Sequence, residues 1–400
     1  MLEMRSLVPE EFAEWCRVES RAHSNRLNAD PAELLPHFDL DRSIAVFDNG
    51  GPGPKIVGGS HSHLLEMSIP GGTSAVAGVA NVYVLPTHTR RGILTRMMRH
   101  QLNDIHERGE PLAALFATES VIYGRFGYGV GSVHERWTIE RPYNTYARRH
   151  ETRGQLTFVE PDDITKELPD VSRRSTEGRP GVFQKPMYRW ERESRDPEHR
   201  QGGRGGTFYV VYEEDGRMDG YAAYRTGGGT LTVNELMATT REAATALWRY
   251  CFDVDLIANT EALKRPVDDP LPWMLSDPRR LQRSARDGMW LRVVDVRAAL
   301  EQRVYMETGR IVIEVQDEVC PWNDGRFELE GSPEGAACRS TNLSPDLTIA
   351  VSALASTYLG AVSFSTLYGA GLVDGHTPGA LLRADRMFEV NQKPWTPHNF

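Results

Sequence analysis

A strand, a short loop, a long amphipathic helix and a second strand follow one another in that order twice in this 400-residue chain. In the first copy residues 75–85 read as a strand that ends at Pro86. Residues 92–108 then carry Leu94, Met97, Met98, Leu102 and Ile105 at helical spacing, with Gly109 as the stop, and residues 113–117 are a short buried strand. In the second copy a Gly227-Gly228-Gly229 run leads to a strand over residues 230–237, and Thr239 with Glu242 three positions on predicts a capping box for a helix through Phe252. A hairpin precedes each copy. Residues 43–47 and 56–63 flank a Gly/Pro-rich turn, and residues 208–213 and 221–225 flank Asp215-Gly216. A plan repeated in this way restricts the chain to a duplicated architecture of mixed strands and helices.

The length exceeds one typical domain and suits two or three. The polar stretch 148–153 reads as a linker, and the strand at 289–294 opens a third part. The expected divisions are therefore 1–150, 151–285 and 286–400. With 40% hydrophobic and 25% charged residues the composition is that of a globular protein, and a formal charge of −9 excludes a general nucleic-acid footprint while suiting a cationic substrate. Cys16, Cys251, Cys320 and Cys338 form no C-x-x-C pair, so neither a disulfide framework nor a zinc site is indicated, and a reducing cytoplasm is expected. No apolar signal-peptide core follows Met1. Residues 347–373 carry no charge and are long enough to span a bilayer, but their serines, threonines and three glycines argue against insertion. They read as a buried strand at 347–351 followed by helical turns capped by Ser352. A lipid-binding groove is the other reading of that run.

The junction of strand and helix at 79–109 carries the chemistry. Arg90, Arg91 and Gly92 sit in the loop, where glycine permits close backbone approach. The first-turn N–H groups of the helix favour an anion such as a pyrophosphate, and the arginines add charge-assisted contacts. No phosphate-binding G-x-x-x-x-G-K motif and no G-x-S-x-G elbow is present. Gly127-Tyr128-Gly129 follows no strand and opens no long helix, so it makes a poor dinucleotide fingerprint. His61 and His63 share one strand face without a third ligand, so no metal is expected.

Arg90-Arg91-Gly92-Ile93-Leu94-Thr95 resembles the acyl-CoA pyrophosphate loop of the GCN5-related N-acetyltransferases (GNAT). The run from Ala117 to Gly129, with Ser120 and Ile122-Tyr123-Gly124-Arg125-Phe126-Gly127-Tyr128-Gly129, resembles the narrower Eis (enhanced intracellular survival) group of actinobacteria. Thr118 stands where that group has Ser. The likeness extends through Asp269-Pro270-Leu271-Pro272 and Ser356-Thr357-Tyr358-Leu359-Gly360 to the aromatic last residue. It implies an α+β chain of two tandem GNAT-type domains followed by a sterol-carrier-protein-like domain, assembled as a cytoplasmic homohexamer with no membrane span. It also implies acetyl-CoA as acetyl donor, held by Val82, Tyr83, Val84, Arg90, Arg91, Gly92, Ile93, Leu94, Thr95, Thr118 and Glu119. Tyr123 is implied as general acid and the C-terminal carboxylate of Phe400 as general base. The implied substrates are amines of aminoglycosides or lysine side chains of peptides and proteins. Two departures bear on the substrate: Asn399 replaces an acidic residue beside the last phenylalanine, and Ser24-Asn25-Arg26 offers no acid where one is expected. In the second copy the corresponding loop, Thr239 to Ala244, has Glu242 and no glycine, so only the first copy should bind acetyl-CoA. The rival reading is a lipid or sterol carrier built on residues 286–400.

Overall fold

The computed structural model describes residues 2–25, 27, 30–51, 53–196 and 205–400. They form two compact units. One comprises residues 1–131 and 289–391 with Phe400, the other residues 132–288 and 392–399.

The first unit contains two sheets. Strands β1 (Leu2–Arg5), β2 (Ser43–Asp48), β3 (Lys55–Ile69), β4 (Gly72–Val84), β5 (Leu112–Leu115) and β6 (Gly129–Val130) come from one stretch of chain. They make a seven-stranded sheet in the order β1-β2-β3-β4-β5-β14-β6, completed by β14 (Trp290–Val293). Helix α1 (Pro9–Ala22) packs on β3 and β4. Helix α2 (Ile93–Glu107) turns Met98, Leu102 and Ile105 into a core with Ala77, Val79, Ala113 and Leu115, as its periodicity predicts. Strands β4 and β5 pair in parallel only from Val76–Leu112 to Gly78–Ala114.

The other sheet of this unit has five strands, β15 (Gly309–Gln316), β16 (Gly325–Ser332), β17 (Gly335–Ser340), β18 (Leu347–Ala350) and β19 (Val373–Gly375), in the order β17-β16-β15-β18-β19. The uncharged run thus forms β18 and a buried helix, Val351–Tyr358. The N-cap of that helix is Ala350, so Ser352 lies inside it and not at its cap; Ser363 caps the next helix, accepting from the Thr366 N–H. Arg292 of β14 is fully buried against Asp317, its Nη2 donating at 2.8 and 2.6 Å to the two carboxylate oxygens. Asp317 also accepts from the Cys320 N–H and the Asn323 amide.

In the second unit β7 (Val133–Glu140), β8 (Gln155–Phe158), β9 (Phe208–Glu214), β10 (Arg217–Gly227), β11 (Thr230–Ala238), β12 (Asn259–Pro266) and β13 (Gln282–Asp287) form a sheet in the order β8-β9-β10-β11-β12-β7-β13, read from its far edge. Strands β11 and β12 are parallel, as β4 and β5 are. The two sheets therefore share one plan: five strands in sequence order, then a sixth drawn from a distant stretch, then a seventh. The strand taken in the sequence as the start of the third part, β14, fills that sixth place in the first sheet, and β7 fills it in the second. Helix α3 (Arg241–Asp253) covers β9, β10 and β11. Its cap is Thr240, whose Oγ1 accepts from the Ala243 N–H at 3.1 Å. Thr239, expected in that role, instead donates its hydroxyl to Asp219.

Candidate active site

Strand β4 outlasts its partner β5, so beyond Gly78 no strand among the described residues covers that side of its backbone. Asn81 adopts φ of +54°, and the β3–β4 register shifts just there, between Gly59 and His61. The irregularity leaves Val82, Tyr83 and Val84 at an open edge that can pair with an extended ligand arm. Tyr83 is buried among Trp15, Phe12 and Phe47, which holds this edge in place.

The chain then turns through Pro86–His88, and Arg90 and Gly92 both take left-handed backbone conformations, with φ of +62° and +75°. Gly92 is the N-cap of α2, and among the described residues no side chain caps that end. Because the first helical bond there is Arg96 N–H to Gly92 C=O, the N–H groups of Ile93, Leu94 and Thr95 have no intrahelical acceptor. A glycine with positive φ at an uncapped helix start is a ready anion site. The equivalent end of α3 is closed by the Thr240 hydroxyl and carries Glu242 in its first turn.

One cavity of about 470 Å3 joins these elements. Val82, Tyr83, Val84, Arg90, Gly92, Ile93, Leu94 and Thr95 line it from the strand and helix, and Thr118, Glu119 and Tyr123 line it from the loop after β5. Tyr123 ends a short helix, Ser120–Tyr123, and is 7% exposed. Burial first, and the Glu119 carboxylate second, push its phenol above the ordinary value, so it holds its proton at neutral pH. Arg91 is exposed and does not line this cavity, and neither does Phe400.

The end of the chain is nonetheless held. The Phe400 ring lies 5.1 Å from that of Phe116, just past β5, and against Gly78 of β4, where a Cβ would come within 2.9 Å of it. In the second unit, Trp395 Nε1 donates to the Lys264 carbonyl at 2.6 Å and Thr396 Oγ1 to the Gly181 carbonyl at 2.8 Å. The Asn399 side-chain oxygen accepts from Lys264 Nζ and its carbonyl from Arg189.

Sequence reasoning missed other residues on the cavity wall: Ala22 and His23 at the end of α1, then His88, Thr89, Ile122 and Arg125. His88 Nε2 lies 3.2 Å from Asp48, and His23 lies 3.8 Å from Glu19, whose carboxylate also accepts from Asn81. The i,i+4 spacing of Glu19 and His23 on a helix was the available signal for that pair. Ser24 and Asn25 follow directly, and Arg26 lies outside the described residues.

Residues 3–131 and 181–293 each match the acetyltransferase (GNAT) domain family, and residues 296–397 match the sterol carrier protein domain. An uncharacterized N-acetyltransferase of Streptomyces coelicolor is 37% identical over the whole of both chains. The N-acetyltransferase Eis of Mycobacterium tuberculosis is 33% identical over 90% of each. Among solved structures, Eis1 from Mycobacterium abscessus superposes with a TM-score of 0.85 at 33% identity over all of both chains. A GCN5-related N-acetyltransferase from Anabaena variabilis, at 18% identity and a TM-score of 0.86, shares the fold.

Proposed function

Because this chain belongs to the Eis kind of GCN5-related N-acetyltransferases, an acetyl-CoA-dependent enzyme family, we propose that it acetylates amines of polyamine-type substrates, aminoglycosides or lysine side chains. The observation that carries the cofactor assignment is the uncapped start of α2 at Gly92, opening onto the cavity that Tyr123 also lines.

Acetyl-CoA supplies its acetyl group as a thioester. Ile93, Leu94 and Thr95 present N–H groups to the pyrophosphate, Arg90 neutralises it, and Arg91 adds long-range attraction from the exposed loop. Val82, Tyr83 and Val84 pair with the pantetheine arm as an added strand would, and Thr118 and Glu119 border the same groove. Tyr123 donates the proton that the departing thiolate needs, for which a phenol held protonated is suited. The Phe400 carboxylate accepts the proton of the attacking amine, and the packing of its ring on Gly78 and Phe116 supports a fixed place for it. The second acetyltransferase-type copy is structural, because Thr240 and Glu242 occupy the end of α3 that an anion would need.

The four cysteines are free and buried, which suits a reducing cytoplasm, and among the described residues no helix is long and apolar enough to cross a membrane. The homohexamer is part of the same proposal and is read by sedimentation. The test of function is thiol release from acetyl-CoA over a panel of amines that includes kanamycin and a lysine peptide, beside retention of a fluorescent fatty acid. Amine-dependent release with one acetyl-CoA bound per chain supports the reading. Fatty-acid retention without release, or two acetyl-CoA per chain, overturns it.

A further inference from the structure

The second unit holds a cavity of about 600 Å3 that the acetyl-transfer chemistry does not use. One wall is a stripe of α3, Thr245, Ala246, Arg249, Tyr250 and Asp253, at the i, i+4 and i+8 spacing that places residues on one helix face. The other is the segment 145–152, with Leu156 of β8. It opens beside the last turns of α3, whereas the cofactor groove of the first unit opens at the first turn of α2.

The charge of this cavity is lopsided for a chain of net charge −9. Among the described lining residues Asp253 is the one carboxylate, and Arg249 claims it, with Nε donating at 2.8 Å; Glu151 belongs to the same segment but is exposed and does not line the cavity. The same guanidinium donates to the Asn144 carbonyl at 2.9 Å and to its side-chain oxygen at 3.2 Å. Arg148 and Arg149 are different. Both are exposed on the wall, and neither makes a hydrogen bond or ion pair among the described residues. A solvated linker would leave such side chains without a fixed position, but the chain entering them is pinned. Tyr146 bridges to Leu275, the Ala147 N–H donates to Met274, and the Ser276 N–H donates to Thr145.

The rest of the lining suits a flat apolar body. The Tyr146 hydroxyl donates to the Thr245 carbonyl, and the Tyr250 hydroxyl is paired with that of Tyr224 at 2.7 Å. Their polar tips are thereby satisfied, so the rings offer the cavity apolar surface. The His150 ring stands edge-on to Tyr146 at 5.4 Å.

We propose that this cavity is a second binding site, for a small planar aromatic anion whose phosphate or carboxylate is taken by Arg148 and Arg149 while its ring lies against Tyr146 and Tyr250. A guanidinium recognises such groups in a bidentate manner, and the partly buried tyrosine rings add apolar contact for the aromatic body. The site stands apart from the acetyl-transfer assignment and does not depend on it.

Titration calorimetry of the full chain with 1-naphthyl phosphate tests it. Binding of one molecule per chain is expected, weakened at least tenfold in Arg148→Ser/Arg149→Ser and unchanged in Gly92→Glu, which disables the groove of the first unit. Neutral 1-naphthol and inorganic phosphate should each bind at least tenfold more weakly than the combined probe. The double variant should keep full acetyl transfer, which confirms its fold. No saturable binding, binding lost in Gly92→Glu instead, or equal binding of 1-naphthol would each overturn the proposal.

Discussion

Gly92 combines a left-handed backbone with open space where a side chain would begin, since a Cβ there meets nothing within 4 Å. Gly92→Glu therefore costs only the backbone strain, about 1 kcal/mol, and a carboxylate at a helix start returns roughly 0.3–1 kcal/mol through the helix dipole. The variant should fold. It should bind acetyl-CoA at least tenfold more weakly by calorimetry, because its charge faces the pyrophosphate; a folded variant with unchanged affinity removes the loop from the site. Tyr123→Phe should lower kcat by about 10²–10⁴-fold with acetyl-CoA affinity within about twofold. The pH profile carries the sign of the same assignment. Because the phenol is held above its usual value of about 10, it stays protonated through neutral and mildly basic pH, so wild-type kcat should not fall before about pH 10. A basic limb well below that pH would point to another acid.

Among the elements, β14 is the most exacting. Its Arg292 and the facing Asp317 have 0% and 1% side-chain exposure, and a buried charge stripped of its partner typically costs about 3–5 kcal/mol. Asp317→Ala should lower the unfolding free energy by at least that amount in urea titration, and Arg292→Met/Asp317→Leu should recover only the part owed to the unpaired guanidinium, because the Cys320 N–H and the Asn323 amide still lose this acceptor. An Asp317→Ala loss below about 1 kcal/mol would mean that water or a rearranged neighbour satisfies the arginine. This strand also marks how far the sequence could be read. Its apolar pattern showed a strand, and β4, α2 and β5 were equally plain from local periodicity and from Pro86 and Gly109. What a period-2 pattern does not carry is the identity of the strand alongside. The cap of α3 shows the same limit at one-residue scale, because Thr239 and Thr240 offer the same hydroxyl and only the contact with Asp219 separates them. In the candidate site, the loop and motif residues lay in two short contiguous runs and could be read together. His23 reaches the cavity from the end of α1, at no spacing that a linear reading would connect to Tyr123, whereas His88 lies inside the first of those runs and was passed over.

At the scale of the whole molecule, the proposal places a reacting group at the very end of the chain. Residues added after Phe400 convert its carboxylate to an amide, which cannot accept the proton, and deletion of Phe400 leaves the carboxylate one residue short. Either change should lower kcat by about 10²–10⁴-fold while the acetyl-CoA affinity holds. An extended protein whose kcat stays within about twofold of the native one would dismiss the C-terminal carboxylate as the base. The interleaving of the two seven-stranded sheets has a further consequence, for how the protein is made. A ribosome that has delivered β6 has not yet delivered β14, and the intervening chain takes on the order of ten to thirty seconds to emerge at about 5–20 residues per second. Throughout that interval β5 and β6 show bare backbone to solvent, with unpaired edges that invite strand addition from neighbouring chains. Synthesis of this protein thus has a defined window of aggregation risk, which opens at residue 131 and closes only when residue 293 clears the exit tunnel.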